Sequence, residues 1–456
     1  MFYNNLKKDK FFHILLFSIL FSLLILIILG RFEAKIVPDT NGYLLGPYEN
    51  FSNLWDNLMA PFFGILLEIF NTKNSNYLFF PFFVILLYFC SIIFLFYSQK
   101  EYGLSSMASL SMPLGLVFSN PLILYSNYVH PELLSITLII FSISFLILLL
   151  KYKNNNKLMY AIVIFSALSY LLKPMFIIFI ITLPFLFYIL DKEKKHKSRI
   201  FLNLFILLIL PFIFVSTIRY ISVKDFNISS FGGFQMSGIA GLMIENNSIS
   251  KLSKQDKKMG IKIIEQKNEL ISERKIFPIP LNSKNKRSFV STSIGYYDIL
   301  ARDYDTILNE IMLKLKNSDE NWIDYNSRMQ NFTFSVIKNN PLYYASWIIG
   351  GSIRFIGRVF ISNLSFIISF IILIILFFSR NNLRIYSKKA FKSKFHDNEE
   401  LFFIIKVSSI YTVSIALMCI LLTFPAARYI DSAGITIAAI PIFLISKILI
   451  KEKKTK

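Results

Sequence analysis

The sequence predicts an all-α polytopic membrane protein, with about ten transmembrane helices and an extracytoplasmic, α-rich or mixed insertion between spans seven and eight. Of the 456 residues, 54% are hydrophobic and only 17% are charged, whereas a soluble protein of this length needs more charge to cover its surface. Long apolar segments recur along the chain, separated by short loops of alternating basic content. The two cysteines exclude a disulfide-stabilised secreted fold.

The apolar segments set the predicted domain organisation. A transmembrane helix needs about 20 mostly apolar residues to cross about 30 Å of hydrocarbon. The candidate spans are Phe11–Gly30, Leu78–Tyr97, Leu104–Leu124, Leu133–Leu150, Leu158–Leu172, Pro174–Leu190, Ile200–Ile218, Ile361–Ser379, Leu401–Phe424 and Ala433–Ile448. They predict an N-terminal membrane domain (1–219) with functional outer loops, an extracytoplasmic soluble segment (220–343) and a C-terminal membrane domain (344–456).

The basic residues of the short loops predict the orientation. One set of loops is rich in lysine and arginine, and the other set is poor in both. The basic set comprises Lys7–Lys10, Lys100, Lys151–Lys157, Asp191–Arg199, Arg380–Lys394 and Lys451–Lys456. The positive-inside rule makes this set cytoplasmic, which predicts a multi-pass protein of the inner (plasma) membrane with both termini in the cytoplasm. The net charge of +21 then reflects topology and contact with membrane lipids, and no nucleic-acid partner is expected.

The long polar segment between spans seven and eight carries nearly balanced charge. It contains 17 basic and 13 acidic residues between Lys224 and Lys338, which argues against a polyanionic partner. Its glycine-rich start, Phe231–Gly241, does not follow a strand or open a phosphate-binding loop of the Walker type, so nucleotide binding is not expected.

The ionisable residues outside the basic loops collect at the predicted outer ends of different spans. A charge at the bilayer centre costs about 2.5–3.5 kcal/mol, and the spans largely avoid that cost. The collected residues are Asp39, His130, Glu132, Lys173, Arg219, Arg428 and Asp431, with Tyr429 beside them. This pattern predicts a cavity at the outer face, lined by carboxylates and fixed cations.

The residue types in this set suggest a chemistry. A carboxylate such as Asp39 can deprotonate an attacking hydroxyl or amine. Cations such as Lys173 and Arg428 can hold a phosphate leaving group and stabilise its developing charge. Other interpretations remain open, because Asp39 is also a capping residue type and basic residues at span ends also anchor headgroups. His130 and Glu132 are a conceivable metal pair.

Four short motifs resemble the GT-C superfamily of membrane glycosyltransferases. They are the Pro38-Asp39-x-x-x-Tyr43 loop after the first span, His130-Pro-Glu132 opening the fourth, Lys173-Pro174, and Arg428-Tyr429. The resemblance covers the membrane core. Many members carry a paired acidic motif in the first outer loop, whereas Asp39 stands alone here.

The resemblance implies an inverting transferase that takes a sugar from a polyprenyl-phosphate donor at the extracytoplasmic face and passes it to a glycan, lipid or protein acceptor. It implies that Asp39 is the base, Glu132 a second acidic site residue, and Lys173 and Arg428 donor-phosphate contacts. The further candidate substrate-binding residues are Tyr43, His130, Arg219 and Tyr429. No cofactor is expected, and a divalent metal is left open.

Two other functions compete with this one. An O-antigen or capsule polysaccharide polymerase also has many spans and a long outer loop, and would use loop arginines such as Arg302, Arg328, Arg354 and Arg358. A lipid-linked oligosaccharide flippase or other transporter is the non-enzymatic alternative. Transporters commonly show internal repeats and mid-membrane charges, and neither feature is evident in the sequence.

Overall fold

The computed structural model describes residues 9–44, 55, 59–70, 77–153, 155–193, 197–276, 289–378, 395–422 and 427–455. In these ranges the chain is helical and contains no strand, and one isolated backbone bridge joins Lys35 to Tyr128. The predicted all-α class is therefore confirmed for the described part of the chain.

The helices of the first membrane part run from the N-terminus to residue 223. They are α1 (Lys10–Ile28), α2 (Pro38–Leu44), α3 (Pro61–Phe70), α4 (Phe79–Tyr102), α5 (Ser106–Val117), α6 (Asn120–Tyr125), α7 (Pro131–Lys151), α8 (Asn156–Leu172), a 3-10 turn (Pro174–Ile178), α9 (Phe179–Leu190) and α10 (Lys197–Val223).

The remaining helices belong to residues 220–343, which we call the outer segment, and to the second membrane part (344–456). They are α11 (Gly232–Met243), α12 (Asn246–Ile249), α13 (Lys254–Ser272), α14 (Phe289–Thr306), a π turn (Ile307–Met312), a 3-10 turn (Leu313–Leu315), α15 (Trp322–Asn339), α16 (Pro341–Ser362), α17 (Leu364–Phe378), α18 (Phe395–Leu422), α19 (Ala427–Gly434) and α20 (Ala439–Thr455).

The chain is a multi-pass membrane protein. Within the described residues, seven helical segments are long and apolar enough to span a membrane, or eight if the pair α16 and α17, bent by 71°, counts as one span. Two of the predicted spans, Leu158–Leu172 and Pro174–Leu190, correspond to shorter apolar helices. A helix of 17 residues such as α8 rises only about 25 Å at 1.5 Å per residue, so the predicted total of about ten remains a prediction.

Helix α7 lies at the centre of the membrane part. Its apolar stretch is 89% buried inside the protein, whereas those of α1 and α10 are 28% buried. The exposed side chains of the two outer helices are themselves large and apolar, as in Phe17, Ile28, Phe214 and Ile221. These helices therefore present a surface that suits hydrocarbon rather than water.

The ends of the spans differ sharply in chemistry. At the end that carries the basic loops, ion pairs tie neighbouring helices together. They join Lys100 to Asp9 (3.1 Å), Lys151 to Glu101 (2.6 Å), Lys153 to Asp191 (2.7 Å) and Lys447 to Glu400 (3.3 Å). Glu132, Lys173 and Arg428 lie at the opposite ends of α7, α8 and the final span.

The buried apolar residues form two cores. The larger core unites the membrane helices, and the smaller one, which runs in sequence from Phe234 to Trp347, belongs to the outer segment. Helix α16 connects them, because the fully buried Trp347 donates its indole N–H to the Ile420 carbonyl of α18 at 3.0 Å. Tyr344 donates its hydroxyl to the next carbonyl, that of Leu421, at 2.9 Å.

Glycines let α16 approach α14 closely. A Cβ added at Gly350 would lie 2.3 Å from the Ser293 carbonyl oxygen and 2.6 Å from the Tyr297 Cβ, whereas a Cβ at Gly357 of the same helix would meet nothing within 4 Å.

We expect Gly350→Ala and Gly357→Ala to shift the melting temperature in opposite directions. Alanine favours a helix interior over glycine by about 1 kcal/mol, so Gly357→Ala stabilises the protein. At Gly350 the clash with α14 backbone costs about 1–3 kcal/mol and reverses the sign. Thermal unfolding of the two purified variants is the measurement, and shifts of the same sign would contradict the close packing of α14 on α16.

Candidate functional site

The site begins with the pairing of two distant loops. The Lys35 N–H donates to the Asn127 carbonyl at 2.8 Å, and the Val129 N–H donates to the Lys35 carbonyl at 3.0 Å. This exchange holds the loop after α1 against the loop before α7. It thereby brings the start of α2 beside His130 and Glu132.

Asp39 lies in the first turn of α2, a helix of seven residues that starts with Pro38. The neighbouring Thr40 is fully buried, donates its hydroxyl to the Val129 carbonyl at 2.8 Å and accepts from the Val37 N–H at 3.1 Å. Because Thr40 fixes this turn from both sides, the Asp39 carboxylate projects from a rigid support. Its side chain is 34% exposed.

Four side chains form a closed ring of charged and polar groups. Arg428 Nη1 lies 2.5 Å from Asp39 Oδ2, and Arg428 Nε lies 3.9 Å from Glu132 Oε2. On the other side of the ring, His130 Nε2 lies 3.3 Å from Asp39 Oδ2 and His130 Nδ1 lies 3.0 Å from Glu132 Oε2. The sequence analysis predicted that these residues share one cavity, and the structure brings all four together.

The ring fixes the charge state of Asp39. The contact with His130 and the positive charges of Arg428 and Lys173 hold the pKa of Asp39 far below its usual value, although burial acts in the opposite direction. Asp39 is therefore a carboxylate at any working pH. As long as Arg428 remains its partner, the low pKa also makes it a weak base.

Part of the ring has unused hydrogen-bonding capacity. Glu132 Oε1 and Arg428 Nε are buried and have no hydrogen-bond partner among the described residues. Buried polar atoms are nearly always satisfied in proteins, so unsatisfied ones beside a cavity are typical of a binding site.

Hydrogen bonds from neighbouring elements to α19 fix the position of Arg428. It lies in the first turn of α19, whose buried Asp431 accepts hydrogen bonds from Asn120 at 2.8 Å and from Tyr125 at 2.8 Å. Asn363, at the bend between α16 and α17, donates to the Gly434 carbonyl of the same helix at 2.5 Å. The middle and the C-terminal end of α19 are thus anchored.

Lys173 owes its position to the proline that follows it. A residue before proline avoids the helical region, and Lys173 is extended, with φ −137° and ψ 99°. It ends α8, and its ammonium lies 5.5 Å from the centroid of the Tyr429 ring. The guanidinium of Arg428 lies 5.2 Å from the same centroid. Burial lowers the pKa of Lys173, but the oxygens of Tyr429 and Glu132 raise it by more, so Lys173 stays cationic.

Two cavities meet at the Asp39–Arg428 pair, because both residues line both cavities. The larger has a volume of about 320 Å³ and is also lined by Tyr43, Lys173, Phe212, Gly232 and Tyr429. The smaller, of about 130 Å³, is also lined by Tyr125, Tyr128, His130 and Glu132.

Tyr43 forms part of the wall of the larger cavity. It is 3% exposed and packs edge-on against Phe63 of α3 and His130, with ring centroids 5.0 and 6.2 Å away. Burial raises the pKa of Tyr43 to about 12. Its phenol is therefore neutral and keeps a proton that it can donate to a hydrogen-bond acceptor.

Arg219 differs from the other predicted site residues. It is fully buried and is not among the described residues that line either cavity. Its guanidinium contacts Asp225 at 3.4 Å, donates to the Ile228 carbonyl at 3.1 Å and bonds to the Ser230 hydroxyl. The structure thus places it behind the loop that covers the larger cavity.

The arginines expected of a polymerase lie elsewhere. Arg302 pairs with Asp303, Arg328 with Glu320 and Arg354 with Asp298, and none of them is among the described residues that line these two cavities. No group of three His, Cys, Asp or Glu side chains in the described ranges is arranged to hold a metal ion. In the ring, Arg428 contacts both carboxylates.

Sequence reasoning missed the contribution of the outer segment. Asn227, Ser229, Gly232 and Gln235 line the larger cavity, yet they lie far from the motifs of the membrane loops. The only signal in the sequence is the glycine-rich start of this segment, whose pattern excludes a nucleotide loop but does not predict a role in the cavity.

We expect Arg428→Gln to lower the melting temperature, because the buried Glu132 and the half-buried Asp39 lose their shared cation, and Arg428→Gln combined with Asp39→Asn to recover part of the loss. Breaking one partner of a fully buried pair costs about 3–5 kcal/mol and an exposed pair contributes about 1 kcal/mol or less, so we expect the cost for this half-buried pair to lie between these values. The matched control is Arg354→Gln with Asp298→Asn, an exposed pair. Additive effects of the Arg428 and Asp39 changes in thermal unfolding would rule out the coupling.

Comparison of the chain with protein-family models, with curated proteins and with solved structures gave no match.

Proposed function

We propose that this protein is an integral membrane glycosyltransferase of the GT-C type, which transfers a sugar from a polyprenyl-phosphate donor to a glycan, lipid or protein acceptor with inversion at the sugar carbon. The proposal includes about ten spans, cytoplasmic termini and a site at the extracytoplasmic face of the inner membrane. The observation that carries it is that Asp39, Lys173 and Arg428 line one cavity of about 320 Å³.

The cations of this cavity support a phosphate ligand. Lys173 and Arg428 lie over the same Tyr429 ring, so two positive charges are held close together against one wall. Repulsion between a buried cation, Lys173, and a half-buried one, Arg428, is costly, and a phosphate between them would relieve it. Arginine and lysine are also the usual binding partners of phosphate oxygens.

The apolar walls support a lipid attached to that phosphate. Ile177, Phe212 and Met418 line the same cavity as the cations, and Phe212 belongs to α10, the helix with the most lipid-suited surface besides α1. A ligand with one charged end and one hydrocarbon end would satisfy both kinds of wall.

The proposed reaction needs no covalent enzyme intermediate. Asp39 accepts the proton of an acceptor hydroxyl, whose oxygen attacks the sugar carbon from the face opposite the phosphate. The bond between that carbon and the phosphate oxygen breaks, and its electron pair stays on the phosphate. Lys173 and Arg428 stabilise the resulting charge.

Donor binding would also activate the base. In the free protein the hydrogen bond with His130 is the main cause of the low pKa of Asp39, and the contact with Arg428 at 2.5 Å lowers that pKa further. A donor phosphate that draws Arg428 toward itself weakens this contact, so the pKa of Asp39 rises toward its usual value. Base strength would then increase only when the donor is in place.

The competing functions receive less support from the contacts. Three of the four loop arginines suited to a polymerase are occupied by carboxylates of the outer segment. A flippase breaks no bond in its lipid, so it would need cations to bind the phosphate but no general base. Asp39, a candidate base, lines both cavities beside the cations.

Asp39→Asn is expected to abolish sugar transfer while leaving donor binding within about threefold, because removal of a general base costs about 100-fold or more in rate. The measurement is product formation from a panel of polyprenyl-phosphate sugars by the purified protein in nanodiscs, with donor binding measured in parallel. Asp305→Asn, an exposed position of the outer segment, is the control. Transfer by Asp39→Asn within tenfold of the wild type would reject the role of Asp39.

Lys173→Met is expected to raise the dissociation constant for the donor by about tenfold, equivalent to about 1.4 kcal/mol. Methionine keeps the length of the side chain and removes its charge. The control is Lys224→Met, since Lys224 also lies over a tyrosine ring, that of Tyr220 at 5.7 Å, but does not line either cavity. Equal donor affinity in the two variants would count against phosphate binding by Lys173.

A further inference from the structure

The cover of the larger cavity comes from the outer segment and is rigidly built. Arg219, fully buried at the end of α10, holds Asp225, Ile228 and Ser230 through the contacts described above. The intervening residues Asn227, Ile228 and Ser229 line the cavity, and the chain then enters α11 at Gly232, which lines it too. The outer segment is therefore fixed to the cavity.

The N-terminus of α11 borders this cavity, and its first turn is only partly capped. Its N-cap residue, Phe231, makes no side-chain cap hydrogen bond, and the first backbone N–H groups of any helix lack partners within the helix. The Phe234 N–H of this turn donates to the side-chain oxygen of Asn326 of α15 at 3.1 Å, which leaves the N–H groups of Gly232 and Gly233 for a ligand. A Cβ at Gly233 would lie 2.2 Å from the Asn326 carbonyl oxygen.

A buried cation lines the same cavity. Lys173 is 9% exposed, and its ammonium makes no ion pair or hydrogen bond with the described residues; it lies 5.5 Å from the centroid of the Tyr429 ring. A buried ammonium normally has a hydrogen-bonding or charged partner. Its three N–H donors are thus available to a ligand in the cavity.

We propose that the N-terminus of α11 and Lys173 together form one phosphate-binding site, so that the outer segment supplies part of the anchor for the phosphate. The aligned peptide dipoles of α11 favour negative charge at its start, and Lys173 offers a full charge from the membrane part. This inference rests on the proposed function, since it assigns the phosphate of the donor to this site. It gives the outer segment a direct role in ligand binding.

Gly232 provides a direct test of the site. A Cβ at Gly232 meets nothing within 4 Å, so a side chain there fits without disturbing the packing. Aspartate in the first turn stabilises a helix through the dipole but repels an anion at the same place. Asparagine has the same shape without the charge, which makes Gly232→Asn the matched control for Gly232→Asp.

The experiment uses the full chain in nanodiscs of neutral lipid and measures equilibrium binding of three probes. They are a short-chain polyprenyl monophosphate, inorganic phosphate and phosphatidic acid supplied in the bilayer. We expect Gly232→Asp to weaken binding by about tenfold relative to Gly232→Asn, with a melting temperature equal to or above that of the control. The probe that binds most tightly to the wild type distinguishes a polyprenyl phosphate from a headgroup or a free anion.

The outcomes separate this inference from the proposed function. If Lys173→Met weakens binding and the two Gly232 variants bind alike, the role of α11 is overturned while the donor-phosphate site in the membrane part survives. If Gly232→Asp weakens binding only together with a lowered melting temperature, a folding defect explains the loss and the inference is overturned as well. If neither Lys173→Met nor Gly232→Asp changes binding, the phosphate assignment fails altogether.

Discussion

The architecture of the site depends on one guanidinium placed between two carboxylates. Asp39 and Glu132 both contact His130, and without Arg428 their charges would repel each other in a setting that water only partly reaches. Burial of like charges is expensive unless a counter-charge shares the space. Arg428 supplies that charge, with contacts of 2.5 Å to Asp39 and 3.9 Å to Glu132.

This requirement explains why so many elements converge on so small a volume. Arg428 is set by α19, which Asp431 ties to Asn120 and Tyr125, while Asn363 holds its far end. The carboxylates come from two other helices, α2 and α7, joined by the Lys35 bridge. A displacement of any one support would separate opposite charges in a region of low dielectric constant, so the supports stabilise one another.

The fold class and the grouping of the charged residues could be predicted because short stretches of sequence determine membrane topology. Apolar length, basic loops and a lysine before a proline are read within short windows, and topology alone assigns Asp39, Glu132, Lys173 and Arg428 to one end of the spans. Tertiary pairing is not local. The exchange between Lys35 and Val129, and the return of residues 227–232 to the cavity, depend on contacts across long sequence separations. Apolar length alone does not fix the span count, since the 17 residues of α8 lie at the lower limit for crossing a bilayer.

The two hydrogen bonds from α16 to the end of α18 have a mechanical consequence. Trp347 and Tyr344 satisfy the carbonyls of Ile420 and Leu421, which belong to a helix terminus that would otherwise leave them open. The residues just before them, Met418 and Cys419, form part of the cavity wall. These two hydrogen bonds therefore connect α16, which packs on the core of the segment 220–343, directly to the helix that forms part of the cavity wall.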